Sequence, residues 1–260
     1  MNSRKPIVAM SWAMRQNKKE DAVRFATTLI QQLNQENEVE KIIFPSMGTL
    51  SAVAEVTKNT TIGLGAQTIA ADAQGEYSGE YSIESLVDCG GKYVELGHWE
   101  RRELYGETDE QINKKLRLAI EYGISPILCV GEKEKELETL PYSQLKRQLF
   151  NALFELPKEQ LAQVIIAYTP QWAVGQTRAA SAPHIHEVGR LIRSILEEFY
   201  PSKVVQEVRV IYGGSVSPEN ARLITSDEGI DGVLVGRFGS EPHRYAEVVS
   251  VIEENKLEIR

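Results

Sequence analysis

Cysteine, histidine and long apolar runs are what this sequence has least of. Among 260 residues only Cys89 and Cys129 are cysteines, four are histidines and three are tryptophans. Two cysteines cannot by themselves build a zinc site, and four scattered histidines do not complete one, so no metal and no disulfide framework are expected. No apolar run approaches the ~20 residues of a membrane span. The opening residues, MNSRKPIVAMSW, lack an apolar core followed by a small-residue cleavage site, so no secretory leader is expected. Basic side chains are also in deficit, 29 against 37 acidic, for a formal charge of −8 and a pI near 5.2. A phosphate backbone needs a concentrated basic face, so nucleic acid is not the expected partner, although a local anion site stays open. No Pro- or Gly-rich linker divides the chain. The expectation is a cytoplasmic protein with one domain over residues 1–260.

What is present is alternation. Short β-branched runs at Ile7–Trp12, Lys41–Pro45, Thr61–Gln67, Lys92–Gly97, Pro126–Gly131, Gln163–Tyr168, Val208–Tyr212 and Gly232–Gly236 read as strands. Most are nearly continuous in Val, Ile and Leu, as parallel strands buried on both faces are. Between them lie amphipathic stretches, clearest at Glu20–Leu33, Thr108–Tyr122, Gln144–Phe154, His184–Tyr200 and Pro242–Glu254. Eight strand–helix units of about 32 residues each fit the ~30 or more that a βαβ unit occupies. The predicted class is α/β, a single-domain (β/α)8 barrel closed on itself. An open doubly wound sheet shares the alternation, but no GxGxxG follows the first strand.

In such a barrel, ligands meet the loops after the strands. After the fourth strand comes Gly97-His98-Trp99-Glu100-Arg101-Arg102. A His there can polarise a carbonyl or move a proton, or can simply be a surface His in an Arg-Glu cluster. After the sixth comes Tyr168-Thr169-Pro170-Gln171-Trp172-Ala173-Val174-Gly175-Gln176-Thr177-Arg178. That composition suits a loop hinged to close over a ligand, or an ordinary loop pinned by a buried Trp. The last two strands end in Tyr212-Gly213-Gly214-Ser215-Val216 and Leu234-Val235-Gly236-Arg237. Glycines let backbone N–H groups approach an anion and a Ser hydroxyl donates to it, so Gly214, Ser215, Gly236 and Arg237 are phosphate candidates.

Taken together, GAQTIAADAQGEYSGEYS, KYVELGHWERRELYGETDEQINKKLRLA, PILCVGE, AYTPQWAVG, IYGGSVSPENA and DGVLVGR resemble the triosephosphate isomerase family over nearly the full length. The resemblance implies a TIM barrel, a homodimer and an isomerase of glycolysis and gluconeogenesis. Such an enzyme interconverts a phosphorylated aldose and ketose through an enediolate, without a cofactor. Gly75–Glu80 would belong to the loop that reaches into the neighbouring subunit. His98 matches the family's electrophilic His, Glu100 the Glu two positions on, and Cys129 the Cys after strand five. Gly175, Ser215, Leu234 and Gly236 match its phosphate-binding positions.

The departures fall on the chemistry. Where the family reads NWKMN, this chain has Ser11-Trp12-Ala13-Met14-Arg15, so Ala13 replaces the Lys that steadies the enediolate. Where it reads YEPVWAIG, the catalytic Glu position is Thr169. GHSERR has become GHWERR, with bulky Trp99, and Arg237 replaces the second Gly of VGG. Ser11 and the Gly236-Arg237 pair also look like a branch acting on longer phosphorylated ketoses such as erythrulose phosphate, though that branch keeps the Lys and Glu. A Thr hydroxyl cannot abstract a proton from carbon, and losing a positioned base forfeits ~10²–10⁴-fold. Arg15 is displaced along the chain from the missing Lys. Glu100 is a candidate residual base, set against an ion pair with Arg101 or Arg102. Cys129 reads as a packed small residue. Three readings follow: an isomerase with relocated groups or a changed substrate, a non-catalytic barrel binding a phosphorylated metabolite or a partner, and an engineered or inactive variant. In the last, Ser11, Ala13, Trp99, Cys129 and Thr169 would surround an apolar pocket.

Overall fold

The computed structural model describes residues 4–33, 38–135, 140–176, 178–237 and 241–259. The eight expected strands form: β1 (Ile7–Ser11), β2 (Glu40–Phe44), β3 (Ile62–Ala66), β4 (Tyr93–Leu96), β5 (Ser125–Val130), β6 (Ile165–Tyr168), β7 (Arg209–Tyr212) and β8 (Gly232–Val235). All pairings are parallel, in sequence order, and β8 closes on β1 with Ile7 opposite Gly232. Closure brings the backbones close at that pair. A Cβ on Gly232 would stand 1.9 Å from the Ile7 carbonyl oxygen, so only glycine fits.

Alternation along each strand divides the core in two. Ile7, Ala9, Ile42, Phe44, Ile127, Cys129, Ile165, Ala167, Ile211 and Leu234 point inward and fill the barrel. The intervening residues, such as Val8, Ile43, Leu128, Ile166 and Val210, face outward under the helices. Large and small side chains alternate to fit the taper. The Phe44 ring occupies the space beside Gly65, where a Cβ would lie 2.3 Å from it.

The outer ring holds α1 (Lys19–Gln32), α2 (Leu50–Thr57), α3 (Ile83–Asp88), α4 (Trp99–Tyr105), α5 (Asp109–Glu121), α6 (Tyr142–Ala152), α7 (Ala182–Glu197), α8 (Ser202–Val205), α9 (Pro218–Ile224) and α10 (Pro242–Ile259). The long ones follow the expected period. In α1, Ala22, Phe25, Ala26 and Leu29 form the buried stripe, and α5 begins with a reciprocal Thr108–Gln111 cap. The short helices α2, α3, α4, α8 and α9 were not among the clear amphipathic stretches. Residues 158–163, partly read as the start of the sixth strand, instead turn in a 3₁₀ segment before β6. No helix among the described residues is long and apolar enough to cross a membrane. No group of three potential metal ligands occurs among them either.

Candidate functional site

The loops at the carboxyl ends of the strands enclose a cavity of about 70 Å³. One wall is mostly backbone: Val174 and Gly175, then Gly213, Gly214 and Ser215, then Leu234, Gly236 and Arg237. The facing wall carries Ser11, Glu95, His98 and Thr169.

Within the first wall, the N–H groups of Gly175, Gly214, Ser215 and Gly236 donate no hydrogen bond among the described residues. Gly214 is buried and Ser215 half-buried, while Gly175 and Gly236 are exposed at the mouth, and N–H groups without a protein acceptor that converge on one cavity form a ready anion cradle. Arg237 adds positive charge at the rim. The Ser215 hydroxyl, expected to face an anion, instead holds the covering loop. Its single O–H has two acceptors in reach, the carbonyls of Ala173 (2.9 Å) and Gln176 (2.8 Å).

That loop, from Pro170 to Ala180, is held at both ends. Thr177 lies outside the described residues. Trp172 Nε1 donates to Glu132 Oε1 at 2.6 Å, which also accepts from the Tyr168 hydroxyl at 2.8 Å. At the far end the Ala180 N–H donates to the Tyr212 hydroxyl at 3.0 Å, and Arg237 Nη2 donates to the Gln176 carbonyl at 3.0 Å. The loop is therefore bonded to three different strand ends and covers the cavity.

On the facing wall, His98 caps α4. Its Nδ1 accepts the Glu100 N–H at 3.4 Å, a group that the helix itself cannot satisfy. With Nδ1 as acceptor, the ring proton is assigned to Nε2, which is then free to donate to a ligand. Glu100 lies with Oε2 3.8 Å from the same Nδ1. It does not form the expected ion pair with its neighbours. Arg101 sits near Glu80 (4.0 Å) and Glu107 (3.9 Å), while Arg102 bonds to Asp109 and to the Gly97 carbonyl.

The sequence reading missed Glu95. It is buried on the inward face of β4, and burial lifts its carboxyl above the usual range, with His98 and Ser11 opposing and Glu100 adding to the shift. Burial and Glu95 together push the Cys129 thiol well up, so Cys129 is inert packing inside the barrel. The available signal was the alternation Tyr93-Glu95-Gly97, which puts a charge on the barrel side of an otherwise apolar strand.

A family model described as triosephosphate isomerase matches residues 6–252. The chain belongs to the triosephosphate isomerase family. A probable triosephosphate isomerase 2 from Listeria monocytogenes is 36% identical, covering 97% of this chain and 99% of that protein. Triosephosphate isomerases from Alkaliphilus oremlandii and Dictyoglomus thermophilum are each 38% identical, covering 95% of this chain and 99% of theirs.

Set against the family pattern, the unusual positions do not all face the cavity. Thr169 does, and its hydroxyl donates to the Val130 carbonyl at 3.5 Å. Ala13, Trp99, Glu100 and Cys129 are not part of the lining. Ala13 keeps a left-handed backbone (φ 48°), a costly conformation for a residue with a Cβ, and its carbonyl accepts from Gln67 Nε2 at 2.9 Å. Trp99 stands beside His98, ring centroids 6.0 Å apart, with its indole N–H buried and unpartnered. It is not the aromatic wall that the sequence suggested. Arg15 turns back to donate to the Ser11 carbonyl at 3.1 Å, so its charge sits nearer Glu100 and Arg237 than chain position implied.

Proposed function

We propose that the protein binds a small phosphorylated sugar beneath the 170–180 loop. By descent it is an aldose–ketose isomerase, and catalysis through positions 13 and 169 is lost or strongly reduced. The observation that carries this reading is the set of unused N–H groups at Gly175, Gly214, Ser215 and Gly236 beside Arg237, facing a Thr where a carboxylate is needed. Losing a positioned base costs ~10²–10⁴-fold, and losing the cation that steadies the enediolate adds to it. The phosphate contacts do not depend on either group.

The same pair of substitutions supports a second reading, a barrel that binds a phosphorylated metabolite without turnover. An apolar redesigned pocket draws less support, because Ala13 and Trp99 lie off the cavity. Exposed Met14, Tyr77, Leu104 and Tyr105 suit a second copy of the chain, so the working form is proposed as a homodimer.

The test combines calorimetry with inorganic phosphate and isomerisation assays on glyceraldehyde phosphate and erythrulose phosphate. Phosphate binding with weak turnover is expected, and Ala13→Lys with Thr169→Glu should raise glyceraldehyde phosphate turnover by at least 100-fold. Wild-type turnover matching the double variant would overturn the claim of reduced catalysis. Absence of phosphate binding would overturn the whole reading.

A further inference from the structure

Glu95 sits in the cavity wall, where only the Ser11 hydroxyl and the Cys129 thiol bond to it and no cation pairs with it among the described residues. It is the third residue of β4, on the inward face that Tyr93 shares, and is 3% exposed. Its Oε1 meets the Cys129 thiol at 3.9 Å, a weak contact, and Oε2 has no hydrogen-bond partner among the described residues. No Lys or Arg pairs with it there. An aliphatic side chain would fill this strand position at no electrostatic cost, whereas an isolated buried carboxylate destabilises the fold. An unsatisfied buried polar group that lines a cavity calls for an explanation, and a catalytic role is one that the cavity itself supplies.

We infer that Glu95 is the proton acceptor of this site, removing the proton from the carbon beside the carbonyl of a phosphorylated aldose or ketose. This rests on the phosphate-binding reading above. With the phosphate at the Gly175, Gly214, Ser215 and Gly236 N–H groups, the sugar's other end lies between His98 and Glu95. The C–H bond breaks and its proton passes to the Glu95 carboxylate. The electron pair forms the carbon–carbon double bond, and the carbonyl pair moves onto oxygen, which accepts from His98 Nε2–H. Returning the proton from Glu95 to the neighbouring carbon, with His98 exchanging one proton between the two oxygens, completes an isomerisation with no other reactant.

The base then comes from the same strand as the electrophile. It does not come from β6, which offers Thr169. Burial makes the Glu95 carboxylate a stronger base than an exposed one. The titratable groups around it are His98, Glu100 and Cys129, with Arg15 and Arg237 at the mouth.

The test is deuterium incorporation from D2O into glyceraldehyde phosphate and erythrulose phosphate, followed by proton NMR on the full chain. Wild type should exchange the proton beside the carbonyl of at least one of them. Glu95→Gln should lower that rate at least 100-fold, and Glu95→Asp should keep part of it. Both variants should bind inorganic phosphate within twofold of wild type and melt cooperatively. The acid limb of the wild-type exchange profile should be absent from Glu95→Gln. Exchange by Glu95→Gln at the wild-type rate overturns the assignment. So does a wild type that binds phosphate but exchanges neither sugar, which leaves the phosphate reading standing. Loss of phosphate binding in wild type itself overturns that reading first.

Discussion

Asp231 and Glu95 are buried to the same degree, 2% and 3% exposed, at opposite ends of one barrel. Asp231, just before β8, accepts from Arg4 Nε (2.8 Å), Arg193 Nη2 (3.1 Å) and the Val210 N–H (2.8 Å). Those arginines in turn donate to the carbonyls of Gln206, Glu228, Val205, Val208 and Gly229. The network ties Arg4, α7 and the turns before β7 and β8 into one unit. Glu95, at the loop end, meets a Ser11 hydroxyl, a thiol and a cavity, with no cation. Equal burial with opposite partnering separates a carboxylate that holds the fold from one left available to a ligand. It also follows the general division of these barrels into a stability face and a catalytic face.

The largest effect should come from breaking the partnered end. Asp231→Ala leaves two buried guanidinium groups without their shared carboxylate, which costs about 3–5 kcal/mol. For a chain of this length that lowers the melting temperature by roughly 10 °C. Thermal unfolding at neutral pH checks it. A cost below ~1 kcal/mol would mean that the arginine–carbonyl bonds hold this end without Asp231, and the contrast would collapse.

Glu132 is the intermediate case. It is equally buried, but Tyr168 and Trp172 both donate into Oε1 while Oε2 has no partner among the described residues. Its partners belong to the covering loop and its hinge, so its bonds bear on ligand retention more than on folding. Trp172→Phe removes one hydrogen bond to a charged acceptor, worth about 1.5–3 kcal/mol. The expected result is inorganic phosphate binding weakened roughly tenfold or more, with the melting temperature little changed. A large loss of stability with unchanged phosphate affinity would move Glu132 to the structural side.

These carboxylates also show what the sequence made legible. The strands were readable because parallel strands covered on both faces need continuous apolar runs, and each of the eight expected strand runs lost only a residue or two at its ends. The short helices were not, since four to eight residues carry too little of the 3.6 period to stand out. The glycine-rich ends of β7 and β8 were readable because unused N–H groups need backbone without Cβ. Trp99, expected as an aromatic wall, and Ala13, expected to open space, were grouped with Thr169 around one cavity because all three depart from the family pattern, yet neither lines it. Neighbours at a strand end project to different sides. Glu95 lies inside the Lys92–Gly97 strand run, where an apolar reading gives it no face. A period-two reading would have set it facing the barrel axis.

The smallest predicted effect separates the two ends by its sign. Burial holds the Glu95 carboxyl above the usual range. The folded chain thus keeps a proton that the unfolded chain releases near pH 4.3. Wherever the native state binds the extra proton, stability falls as pH rises, and the loss is complete once Glu95 itself has titrated. Glu95→Gln stays neutral throughout. Relative to wild type it should be level at pH 4 and more stable by at least ~1 kcal/mol at pH 8, as expected for replacing an unpaired buried charge with a neutral isostere. At that same pH Asp231→Ala loses stability, so removing one carboxylate helps and removing the other harms. Thermal melts of wild type and Glu95→Gln between pH 4 and 8 measure the difference. Parallel curves over that range would show that Glu95 titrates as an ordinary carboxylate, and the loop end of the barrel would then lack the poised base assigned to it.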